Sequence, residues 1–132
     1  MPLRRGPAVR VVLGAASRQP VDAYVSVETR RHPRFERNGD PRRITVQAVK
    51  WSPQADHEYL LAEAYRSVLA IADRRGARSL AVPTLSWAWP MEDMTRIALK
   101  VLHSTPTHVR DVIIATPTPA SLEAWAEALA RT

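Results

Sequence analysis

Ser79-Leu80-Ala81-Val82-Pro83-Thr84-Leu85-Ser86-Trp87-Ala88-Trp89-Pro90 is the stretch on which the fold turns. Ser79 to Pro83 reads as a short apolar strand, and what lies on either side of it reads as helix. Upstream, from His57 to Arg75, Leu61, Ala64, Val68 and Ala72 keep the i, i+3, i+4 spacing of an amphipathic helix, with Leu60, Tyr65 and Leu69 beside them. Asp56 can cap its start and Gly76 its end. Downstream, Pro90 suits a first helical position, and Glu92 and Asp93 complement the positive end of a helix dipole. Met94, Ile97, Ala98, Val101 and Leu102 form a buried stripe. Val109 to Ala115 is the next strand, and Thr118-Pro119 opens a last helix with Leu122, Trp125, Ala126 and Leu129 on one face. The second half thus alternates helix, strand, helix, strand, helix.

Working toward the N-terminus, Ile44 to Trp51 alternates with Ile44, Val46 and Ala48 on one face, and reads as a strand ended by Ser52-Pro53. Val9 to Gly14 and Val21 to Val27 read as two more strands. Between Glu28 and Arg43 no periodicity is visible, and arginine, proline, asparagine and glycine predict a solvated loop. Short hydrophobic strands alternating with helices imply an α/β domain of three layers, α/β/α, with a mixed, mostly parallel sheet. Ligands in such domains bind beyond the carboxyl ends of the strands. Gly14, Ser26, Pro83 and Ala115 are therefore expected to converge on one edge. The segments just past those ends, where a ligand is expected, are Gly14-Ala15-Ala16, Ser26-Val27-Glu28-Thr29, Pro83 to Pro90 and Thr116-Pro117-Thr118.

Composition limits the chemistry. With 132 residues, 45% of them apolar and 24% charged, the chain is expected to be one domain, 1–132, that folds without disulfides or a structural metal. The absence of cysteine excludes thiolate nucleophiles and thiolate metal sites. His32, His57, His103 and His108 show no metal-ligand spacing on a helix, and neither a G-x-S-x-G elbow nor a Walker sequence occurs, so no metal and no cofactor are expected. No apolar run approaches a membrane span and no signal-peptide core follows Met1, which gives a cytoplasmic expectation and no membrane partner. The +6 net charge lies wholly in residues 1–43, where ten arginines face Asp22, Glu28, Glu36 and Asp40. Seventeen of the nineteen basic side chains are arginine, which suits bidentate contacts to phosphate or carboxylate and equally suits a GC-rich genome.

The loop after Pro83 carries the anion chemistry. Backbone N–H groups at the following helix start, with the Thr84 and Ser86 hydroxyls, can hold a phosphate, and Trp87 and Trp89 can stack on a base or pack on a neighbour. Here the chain resembles the second half of a macro domain, the family that binds ADP-ribose. The resemblance rests on Leu61-Ala62-Glu63-Ala64-Tyr65 with Leu69 and Ala72, on Ser79 to Pro83, on Thr84 to Pro90, and on Ile97-Ala98-Leu99. Val21 to Ser26 is similar to the family's V-D-A-I-V-N. Departures accompany the matches: Gly14 is followed by Ala15 where the family has the adenine-binding aspartate of G-D-I. Val25-Ser26-Val27-Glu28-Thr29 replaces V-N-A-A-N, and the glycine-rich diphosphate loop is absent. This resembles a shortened, divergent member.

The resemblance implies a module that binds ADP-ribose or a related nucleotide, or an ADP-ribosylated protein, with at most weak de-ADP-ribosylating activity. Its ligand site would comprise Ala15, Ser26, Val27, Thr84, Leu85, Ser86, Trp87, Ala88, Trp89, Pro90, Thr116, Pro117 and Thr118. Glu28 is the one carboxylate of the strand-end segments able to act as a base. The alternative expectation is an interaction module without nucleotide binding, contacting nucleic acid or a protein through Arg30, Arg31, Arg34, Arg37, Arg42 and Arg43.

Overall fold

The computed structural model describes residues 6–28, 40–47, 49–50, 57–87 and 90–132. In chain order these form β1 (Ala8–Leu13), a 3-10 turn (Ala16–Arg18), β2 (Ala23–Glu28), β3 (Arg43–Gln47), β4 (Val49–Lys50) and α1 (His57–Arg74). They continue with β5 (Ser79–Val82), β6 (Ser86–Trp87), α2 (Met91–Ser104), β7 (Asp111–Thr116) and α3 (Pro119–Ala130). Every strand and helix expected from periodicity is present. The strand expected over 44–51 divides, because β3 joins the main sheet while β4 pairs with β6 in a separate two-stranded ladder. Pro90 caps α2 in an extended conformation, ψ 131°, so the first helical residue is Met91.

The main sheet runs β1-β7-β5-β2-β3, and every neighbouring pair is parallel. This order explains where the helices lie. From β1 the chain jumps three positions across the sheet to β2; from β3 it steps back to β5, then to β7. Parallel crossovers are right-handed, so connections moving in opposite directions must cross opposite faces. The 3-10 turn accordingly lies on one face and α1 and α2 on the other.

Burial follows this division. On the helical face Val11, Val112, Ile114, Leu80, Val82, Val25 and Ile44 pack under Leu61, Tyr65 and Leu69 of α1, Met94 and Leu102 of α2, and Trp125 of α3. On the other face Tyr24, Ala81, Ile113 and Ala115 are covered by Ala16 of the 3-10 turn and by Val21, with Val12 at the margin. The third layer over the described residues is therefore a single turn. Each fully buried leucine of the larger core contributes roughly 1.5–3 kcal/mol relative to exposure.

Helix ends obey local chemistry. Gly76, φ +74°, ends α1 in a Schellman arrangement in which Ala77 N donates to Ala72 O at 3.0 Å and Gly76 N to Asp73 O at 3.0 Å. At the amino ends of the strands Asp22 accepts from Arg78 N at 2.8 Å while its own N–H donates to Ser79 Oγ, which fixes β2 beside β5. Among the described residues, the buried Tyr65 Oη and Trp125 Nε1 have no hydrogen-bond partner.

Candidate functional site

The carboxyl ends of β1, β7, β5 and β2 open onto one cleft of about 440 Å³. Gly14, Ser26, Pro83 and Ala115 all line it. The topology puts it there: β1 leaves the sheet toward the face of the 3-10 turn and β5 leads to α2 on the other, and the divergence of these connections leaves a gap above the strand ends. Gly14 turns the chain away from β1 with φ +136°, a conformation that strains any side chain, while its N–H stays bonded to Thr116 O at 2.9 Å. A larger depression of about 870 Å³ lies at the opposite edge among Asp73, Arg78, Thr107, His108 and Arg110. There the Asp73 carboxylate is engaged by Thr107 Oγ1 at 2.7 Å and by His108 N at 3.0 Å, bonds that hold the loop before β7.

Of the residues anticipated for a ligand, Ala15, Ser26, Val27, Thr84 and Pro117 line the cleft. Leu85 does not: its side chain is fully buried in the core beneath the loop. The Thr116 hydroxyl is also fully buried and bonds Ser121 Oγ, and Thr118 is the N-cap of α3, its Oγ1 accepting from Ser121 N at 3.1 Å. Both hydroxyls are thus engaged by the start of α3, which the Thr-Pro sequence signalled as a cap. Pro90 is exposed at the start of α2 and is not part of the cleft lining. Ser86 and Trp87 contribute backbone to β6; their side chains, and Ala88 and Trp89 altogether, lie outside the described residues. Glu28 is half-buried at the end of β2, accepts from Gln47 Nε2 at 3.4 Å, and does not line the cleft.

Ala16, from the strand-end segment Gly14-Ala15-Ala16, also lines the cleft, and so do three residues that were not anticipated: Ser17, Tyr24 and Val25. Alternation along β2 puts Tyr24 and Ser26 on one face, so Tyr24 was legible as a neighbour of Ser26. Ser17 was not, since its position depends on how the connection crosses the sheet. The Tyr65 hydroxyl lies against the Leu85 backbone, and burial pushes its pKa well above the ordinary tyrosine value, so it stays protonated.

Charge near the cleft is organised by Arg42. Its Nη1 donates to Val21 O and its Nη2 to Ser17 O, both at 3.3 Å; Nη2 lies 3.4 Å from Asp40 Oδ2, and the guanidinium stands 5.0 Å from the Tyr24 ring centroid. Tyr24 Oη donates to the same Asp40 oxygen at 3.2 Å. The Asp40 carboxyl is held below its ordinary range, chiefly by the backbone N–H of Arg42 and further by the guanidinium and Tyr24. Of the arginines anticipated for nucleic acid, Arg42 is thereby engaged within the fold and Arg43 Nε donates to Tyr24 Oη at 3.4 Å; Arg30, Arg31, Arg34 and Arg37 lie outside the described residues. Among the described residues no cluster of histidine, aspartate and glutamate is placed to hold a metal ion, and no helix is long and apolar enough to cross a membrane.

No family model matches the chain. A curated relative, a macro domain-containing protein of Streptomyces nogalater, is 45% identical over 65 residues, covering 47% of this chain and 36% of its own length. The match therefore spans little more than a third of that relative. Among solved structures, the Oceanobacillus iheyensis macrodomain with MES bound superposes with TM-score 0.75 at 14% identity, over 98% of this chain and 94% of that one. A point mutant of the same macrodomain with ADPR superposes with TM-score 0.59 at 22% identity, over 67% of this chain and 51% of that one. The sequence match and the shared fold agree with the motif order from Leu61 to Leu99: over about half its length the chain is similar to macro domain-containing proteins, and its fold is that of a macrodomain.

Proposed function

We propose that the cleft above the strand ends binds ADP-ribose or a related nucleotide. The observation that carries this reading is the convergence of Gly14, Ser26, Pro83 and Ala115 on one cleft at the point where the strand connections diverge. The Oceanobacillus iheyensis macrodomain holding ADPR has the same fold and supports the choice of ligand. Ser17, Ser26 and Thr84 supply hydroxyls to the cleft, Ala15 and Pro117 apolar walls, and the turn at Gly14 lets backbone approach the ligand.

Affinity should be micromolar or weaker. Ala15 follows Gly14 where the family pattern has a carboxylate for the adenine amino group, and losing one charge-assisted hydrogen bond removes roughly 1.5–3 kcal/mol, or about one to two decades. Calorimetry with ADP-ribose tests this. A nanomolar dissociation constant would show replacement contacts, and no heat at millimolar ligand would overturn the nucleotide reading.

Turnover is proposed to be slow. Efficient hydrolysis depends on positioned groups that can account for about 7–11 kcal/mol of a barrier, and Glu28 faces Gln47 rather than the cleft lining. Time courses on proteins ADP-ribosylated at glutamate, aspartate or serine should show little release, unchanged in Glu28→Gln. Brisk release lost in that variant would make Glu28 the base.

A further inference from the structure

We propose that Arg42 is a positioning residue for the cleft, acting through the wall formed by the 3-10 turn; the effect on ligand rests on the nucleotide reading above. The connection from β1 to β2 crosses an entire face of the sheet, and its apolar anchors among the described residues are small: Ala16 and Val21. A short turn held by so little buried area would be loose on its own. Arg42 supplies what apolar burial does not. Its planar fork reaches two carbonyls of that connection, Ser17 O and Val21 O, from the turn immediately before β3.

The same guanidinium stands beside the Tyr24 ring, and Asp40 holds both groups at once, accepting from Tyr24 Oη at 3.2 Å and pairing with Arg42 at 3.4 Å. Ser17 and Tyr24 both line the cleft. Through these two residues one side chain sets the spacing between the wall of the cleft and its floor. Lysine cannot replace it, because an ammonium lacks the planar fork that spans two acceptors while stacking on a ring. The arginine-rich composition around Arg42 gives no hint of this, since its neighbours Arg37 and Arg43 are the same residue type.

The test uses the full chain, with Arg42→Ala and Arg42→Lys read two ways. In the ligand-free protein, the amides of Arg18 and Gln19, bonded to Ala15 O and Ala16 O, should exchange faster in both variants. The amides of Ile113 and Ile114 in β7 should keep their wild-type rates. Calorimetry should show ADP-ribose affinity lower by about tenfold in both, the cost of ordering a loosened wall on binding. Uniformly faster exchange that includes β7 would make Arg42 a general stabiliser and overturn the proposal. So would unchanged exchange at Arg18 and Gln19, or wild-type affinity in Arg42→Lys, which would reduce the role to charge. If the wild-type protein binds no ADP-ribose, the nucleotide reading fails by itself, and selective loosening at Arg18 and Gln19 still supports the clamp.

Discussion

The two faces of the sheet are held by different physics. On one, three helices bury large aliphatic and aromatic side chains, from Leu61 and Tyr65 to Leu102 and Trp125, with little or no exposure. On the other, a 3-10 turn covers Tyr24, Ala81, Ile113 and Ala115, and hydrogen bonds from Arg42 add what the small apolar area lacks. The difference teaches where a site can be built. Between helices and sheet the side chains are close-packed, whereas beside the 3-10 turn a gap remains at the strand ends. Most buried apolar area therefore lies on the helical face, and the proposed nucleotide site lies at the rim of the thin one.

The contrast is most severely tested by truncating the helical face. Leu80, fully buried on the central strand β5, should cost about 2–5 kcal/mol when changed to alanine, measured by urea unfolding, because the core relaxes only partly around the void. A loss below about 1 kcal/mol would mean the helical face is not the seat of stability. Gly14→Ala should cost about 1–3 kcal/mol through backbone strain at φ +136°, since the nearest obstacle to a methyl group, Gln19 Nε2, is at an ordinary 3.6 Å. Unlike Leu80→Ala, it should also weaken ADP-ribose binding by the folded protein, and unchanged affinity would detach Gly14 from the site.

Smaller effects sharpen the same division. Thr118→Ala removes the cap of α3 and should lower stability by about 1 kcal/mol in the same unfolding measurement without altering ligand affinity. A fall in affinity would return Thr118 to the ligand site. Tyr65→Phe removes an unpaired buried hydroxyl and should be neutral or stabilising by less than about 1 kcal/mol. If instead it destabilises and weakens binding, the hydroxyl is holding the Leu85 backbone, and the helical face reaches into the site through that loop.

Element order was legible because periodicity is a local property: the stripe from Leu61 to Ala72, the run Ser79 to Val82 and the Thr118-Pro119 cap each announce themselves within a few residues. The convergence of Gly14, Ser26, Pro83 and Ala115 was legible too, since parallel strands put their carboxyl ends on a common edge. Whether a given loop side chain then faces ligand, core or a neighbouring helix was not. Leu85 turns into the core because an apolar side chain next to Tyr65 gains more from burial than from the rim, Thr118 turns to the open Ser121 N–H of α3, and the buried Thr116 hydroxyl finds its partner in Ser121 Oγ. The order β1-β7-β5-β2-β3 and the side taken by each crossover arise from packing the whole sheet, and they bring Arg42 within 3.3 Å of Ser17, 25 residues earlier in the chain. The sequence by itself determined the strands, the helices and the edge on which a ligand would sit; only the tertiary structure decided which arginine builds the wall, because that depends on a hydrogen bond between segments that no local pattern connects.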